Sequence, residues 1–135
     1  MTENKTKKVL IVDDDPDILY QVQLALQDDG YTLVTAQGHR EAEDALSSVQ
    51  PDLAVVDLMM EHKDSGLVLC QQIRRLFPGT PIIILTAVRG ATGLSFDARN
   101  TQAKSWIQAD SVMDKPVRPE YLRNEVRRLL RRHSE

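Results

Sequence analysis

Five times along this chain a short apolar run gives way to a segment with helical spacing, and few folds accept that order of elements. Val9-Leu10-Ile11-Val12, Leu53-Ala54-Val55-Val56 and Pro81-Ile82-Ile83-Ile84-Leu85 are too short for helices and rich in β-branched residues. Each reads as a strand buried on both faces. Tyr31-Thr32-Leu33-Val34-Thr35 alternates weakly and is β-prone, and Ser111-Val112-Met113 is a short fifth strand. Between them lie the helices. Asp15 before Pro16 sets a carboxylate N-cap ahead of a proline at the first helical position. Ile18, Val22, Ala25 and Leu26 then form an apolar face, and Gly30 is the stop signal. Ala42, Ala45, Leu46 and Val49 mark a second helix ended by Pro51. Leu69, Cys70, Ile73 and Leu76 mark a third, ended by Pro78-Gly79. The polar stretch from Val88 to Ala109 is expected to hold a fourth helix around Phe96 to Trp106, although its apolar periodicity is poor. Pro119 opens the last helix, with Leu122, Val126, Leu129 and Leu130 on its apolar face.

Strands that alternate with helices predict an α/β fold: a parallel sheet covered by helices on both faces, with right-handed crossovers. In such sheets function collects at the carboxyl ends of the strands. The polar residues fall there. Asp13 and Asp14 close the first strand, Asp57 the third and Thr86 the fourth, while Lys115 follows the fifth.

Those residue types suggest a chemistry. Three carboxylates at one edge repel each other and remain ionised only if a cation joins them. Hard oxygen ligands with open positions suit Mg²⁺ or Mn²⁺. A carboxylate beside such a cation can attack a phosphoryl group, with the metal and an ammonium stabilising the transferring oxygens. Asp57 fits the nucleophile, Lys115 the ammonium, and Thr86 a hydroxyl for another phosphoryl oxygen.

The motifs Val9-Leu10-Ile11-Val12-Asp13-Asp14-Asp15-Pro16, Val55-Val56-Asp57-Leu58-Met59-Met60, Ile84-Leu85-Thr86-Ala87 and Asp114-Lys115-Pro116 together resemble the response-regulator receiver family of two-component signalling. Each alone is weak; in this order, each at a predicted strand end, they are specific. The resemblance spans roughly Lys7 to Arg132, nearly the whole chain. It implies a flavodoxin-like, doubly wound five-stranded sheet in the order 2-1-3-4-5. It also implies that Asp13 and Asp14 bind Mg²⁺ (or Mn²⁺) and that Asp57 is both phosphate acceptor and metal ligand. Met59 would add its backbone carbonyl, Thr86 would be the switch hydroxyl, and Lys115, joined to Pro116 by a cis bond, would pair with the phosphate. The implied partners are a sensor histidine kinase or phosphotransfer protein and a downstream protein target. A homodimer could form through the face made by the fourth helix, fifth strand and last helix. The role is a regulatory phosphoacceptor, with only self-catalysed phosphotransfer and dephosphorylation as chemistry. Departures from the family are Glu61, where a proline is common, longer segments after Asp57 and after Thr86, and Val112, where many members carry Tyr or Phe.

Three rivals fit less well, and one of them, a scaffold that keeps the fold but no longer cycles, is opposed by the complete acid, threonine and lysine set. A haloacid-dehalogenase-type phosphohydrolase wants a second acid two residues after its aspartyl nucleophile, and Met59 stands there. A flavodoxin-like cofactor binder needs a phosphate-cradling loop after the first strand, where Asp13-Asp14-Asp15-Pro16 would repel phosphate.

The remaining expectations are broad. The 135 residues suit a single domain, 1–135, with a core of about 7–132. No apolar stretch approaches membrane-spanning length, the segment Met1 to Lys8 is polar, and Cys70 is the lone cysteine. A cytoplasmic protein without direct membrane contact is expected. A net charge of −3 gives no general attraction to nucleic acid. Arg123, Arg127, Arg128, Arg131 and Arg132 crowd the last helix, where cations near a helix C-terminus on a solvated face are the commoner case.

Overall fold

The computed structural model describes residues 6–58, 65–86 and 109–134. Strands β1 (Lys8–Val12), β2 (Thr32–Ala36), β3 (Leu53–Asp57), β4 (Ile82–Thr86) and β5 (Ser111–Asp114) form one sheet in the order β2-β1-β3-β4-β5. All four pairings are parallel. Helices α1 (Pro16–Leu26), α2 (His39–Leu46), α3 (Ser65–Leu76) and α4 (Pro119–Ser134) cover it. The label α4 denotes the last helix; the helix expected around Phe96 to Trp106 lies outside the described residues.

The central strands β1, β3 and β4 are almost wholly apolar because both faces are covered. Val9, Ile11, Leu53, Val55, Ile83, Leu85 and Met113 point to one side, where α1 and α4 pack on them. Leu10, Val12, Ala54, Val56, Ile82 and Ile84 point to the other, against α2 and α3. Each fully buried Leu or Ile contributes roughly 1.5–3 kcal/mol, and this core anchors the strand ends that carry the charged residues.

The start of α1 follows the expected chemistry: Asp15 is the N-cap, and its Oδ1 accepts from the Asp17 N–H at 2.9 Å. Beyond Leu26 the chain tightens into a short 3₁₀ turn, Gln27–Asp29, and stops at Gly30, whose φ of +80° favours glycine.

Three helix faces differ from expectation. Leu19, not Ile18, joins Val22, Ala25 and Leu26 in the core, and Ile18 packs only on its flank. Helix α2 ends at Leu46, and Val49 falls beyond it, its N–H still donating to the Ala45 carbonyl at 2.8 Å. Leu76, the last residue of α3, is 55 % exposed, whereas Leu69, Cys70 and Ile73 are fully buried. The four apolar residues expected on α4 are all buried.

Three of the α4 arginines serve the fold. Arg123 donates to the Ala25 carbonyl at the end of α1, Arg127 grips Asp29 through two 2.8 Å bonds, and Arg128 pairs with Glu125. Among the described residues no helix is long and apolar enough to cross a membrane.

Candidate functional site

Strand order reverses direction at β1, which has β2 on one side and β3 on the other. The crevice at the carboxyl ends of β1 and β3 is where such sheets place their ligands. Asp13 is the first residue past β1. Its N–H bonds the Ala36 carbonyl at 3.1 Å, and its Oδ1 accepts from the Asp15 N–H at 2.9 Å. That turn leads the chain into the α1 cap and fixes the Asp13 carboxylate. Its second oxygen, Oδ2, is buried and receives no well-directed hydrogen bond.

Asp57 closes β3 and is buried; Asp14 is exposed. One oxygen from each of Asp13, Asp14 and Asp57 lies within 4.8 Å of the others. Lys115 follows β5, and its ammonium lies 3.0 Å from Asp13 Oδ2 and 3.2 Å from Asp57 Oδ1. Burial alone would lower the Lys115 pKa. The contact and charge of Asp13, then those of Asp57, outweigh burial and hold it above the ordinary lysine range. The Lys115–Pro116 bond is cis, and the Lys115 N–H donates to the Thr86 carbonyl at 2.8 Å. Thr86 closes β4 and is buried, one position beyond the residue that pairs with Asp57.

The structure thus brings Asp13, Asp14, Asp57 and Lys115 into one cluster and sets Thr86 at the end of the neighbouring strand. Met59 lies outside the described residues. One ammonium cannot balance three carboxylates. A hard-oxygen set of three carboxylates gathered this closely suits a small divalent cation.

Sequence reasoning did not foresee that a single ammonium bridges Asp13 and Asp57. It also passed over Gly66 and Arg74. The Arg74 guanidinium bonds the Pro78 and Thr80 carbonyls and Asp110, and Asp110 in turn accepts from the Ile82 N–H. This staple holds the end of α3 to the start of β4 and the approach to β5. A glycine inside a helical pattern was the available signal for Gly66; the Arg74 staple had none.

Comparison with known proteins identifies the family and the fold. The sequence profile of the Response regulator receiver domain matches residues 9–127. Response regulator MprA of Mycolicibacterium vanbaalenii is 36% identical over 125 residues, covering 93% of this chain and 51% of that protein. The alkaline phosphatase synthesis transcriptional regulatory protein PhoP of Bacillus subtilis is 33% identical over 130 residues, covering 93% of this chain and 49% of that protein. The chain therefore spans about half the length of these relatives. Among solved structures, a CheY-like response regulator receiver domain protein from Methanospirillum hungatei superposes with a TM-score of 0.81 at 25% identity, over 96% of this chain and 98% of that one.

Proposed function

The chain belongs to the response regulator receiver domain family, and on that footing we propose that it is a signalling switch in which Asp57 accepts a phosphoryl group from a sensor histidine kinase or phosphotransfer protein. The observation that carries this reading is the place of Asp57. It is a buried strand-end carboxylate, 3.2 Å from the Lys115 ammonium and within 4.8 Å of the Asp13 and Asp14 oxygens. In the transfer, the phosphorus–nitrogen bond of a phosphohistidine breaks as a phosphorus–oxygen bond to Asp57 forms, and the donor imidazole regains a proton.

Asp13, Asp14 and Asp57, with the Met59 carbonyl, are the proposed ligands of Mg²⁺ or Mn²⁺. When bound, the cation neutralises charge on the transferring oxygens. Lys115 is close enough to Asp57 to follow the new phosphoryl group as a point charge, and Thr86 is the hydroxyl assigned to a further phosphoryl oxygen. The added negative charge then alters the surface that includes β5 and α4, where a downstream protein or a second copy reads it. We assign the chain as one receiver domain acting in the cytoplasm, with no direct contact to nucleic acid or membrane.

Intact mass after incubation with acetyl phosphate tests the proposal. One added phosphoryl group is expected in Mg²⁺, and none with excess chelator or in Asp57→Asn. Incorporation that survives either change would contradict it.

A further inference from the structure

Gly66, in the first turn of α3, packs against the backbone that carries Asp57. A Cβ added there would sit well inside van der Waals contact of the Asp57 and Leu58 carbonyl oxygens and 2.6 Å from the Leu58 Cα. These are backbone atoms, so no side-chain rotation relieves the overlap. No unusual dihedral demands the glycine; its backbone is not in the left-handed region. What demands it is space. The Gly66 N–H also donates to the Leu58 carbonyl at 3.0 Å, while the Leu58 N–H donates to the Leu85 carbonyl at 2.8 Å. Leu58, the residue just after Asp57, is thus held from β4 through its N–H and from α3 through its carbonyl.

Resting on the phosphoacceptor reading of Asp57, we propose that Gly66 is a positioning residue for that site: its missing side chain lets α3 seat against the Asp57–Leu58 backbone and fixes the acceptor carboxylate relative to Asp13 and Lys115. A methyl group would force α3 and this peptide apart by roughly 1 Å, a displacement that costs up to about 100-fold when it misaligns reacting groups. The damage falls on Mg²⁺ binding as well, because Asp57 belongs to the acid cluster.

The test compares wild type, Gly66→Ala and Ile73→Val, the last removing one methyl group from the buried face of the same helix. Each is melted, then titrated with Mg²⁺ and phosphorylated with acetyl phosphate well below its own midpoint. Both variants should melt lower than wild type. Folded Gly66→Ala should lose roughly 10- to 100-fold in initial phosphorylation rate and bind Mg²⁺ more weakly, while Ile73→Val should match wild type in both. A folded Gly66→Ala indistinguishable from wild type would overturn the proposal. So would a variant that cannot be driven to fold even with a stabilising osmolyte, since the glycine would then serve the fold as a whole. A wild type that binds Mg²⁺ but takes no phosphoryl group would sink the phosphoacceptor reading instead, leaving the Mg²⁺ comparison to decide on Gly66.

Discussion

Replacing Asp14 by Asn should stabilise the metal-free protein while weakening its grip on Mg²⁺. Asp14 is exposed, and one of its oxygens lies within 4.8 Å of those of Asp13 and Asp57. At 4.8 Å a like-charge pair costs about 1 kcal/mol at the dielectric of water and about 3.5 kcal/mol at an effective dielectric of 20. Asp14 faces two such charges, and the Lys115 ammonium that bridges both offsets about one of them. One uncompensated repulsion remains, and the exposure of Asp14 places it toward the lower figure, at about 1–2 kcal/mol. For a domain of this size that corresponds to a rise in melting midpoint of about 3–8 °C. The assay is a thermal melt of both proteins with and without excess Mg²⁺. Metal should raise the wild-type midpoint more than that of Asp14→Asn, because stabilisation by a native-state ligand grows with the logarithm of its concentration over Kd and is larger for the tighter binder. A metal-free Asp14→Asn midpoint at or below wild type would refute the reasoning.

Other outcomes follow from the same contacts. Lys115→Ala leaves the buried Asp13 and Asp57 without their shared cation, so the metal-free protein should lose about 2–3 kcal/mol and recover more than wild type on adding Mg²⁺; equal denaturant midpoints without metal would contradict this. Burial holds Cys70 at 0% exposure and pushes its thiol pKa up to about 12, so native protein should resist alkylation and take one label only after denaturation. The hydrogen bonds and charge of Arg127 hold the Asp29 carboxyl below its ordinary value of 3.8. The stability this adds is present above that value and is lost as pH falls through the lowered native pKa. The stability gap between wild type and Asp29→Asn should therefore be full at neutral pH and close in acid; a gap that widens in acid would be the wrong sign.

The centre of the sheet was legible because β1, β3 and β4 are buried on both faces, so Val9-Leu10-Ile11-Val12 and Ile82-Ile83-Ile84 leave no helical alternative of the right length. Helix faces were less legible. Ile18 and Leu19 are equally apolar, and only the docking of α1 on the sheet and α4 decides which is core. Leu76 fits the α3 stripe, yet it stands at the helix end with most of its surface in water. Of the site, Asp13, Asp57, Thr86 and Lys115 could be placed because each sits at or just after a strand end. The double contact of Lys115 and the steric demand at Gly66 could not, because both depend on how closely distant segments approach. Met59 could be assigned only through the family resemblance and lies outside the described residues.

The most direct measurement is chemical location of the phosphoryl group. An acyl phosphate is reduced by borohydride, and a phosphorylated aspartate becomes homoserine. Protein treated with acetyl phosphate and Mg²⁺, reduced and digested should show that conversion in one peptide, at Asp57. Conversion at Asp13 or Asp14, or a phosphoryl group that resists borohydride and maps to a hydroxyl or histidine side chain, would contradict the assignment of Asp57 as the acceptor.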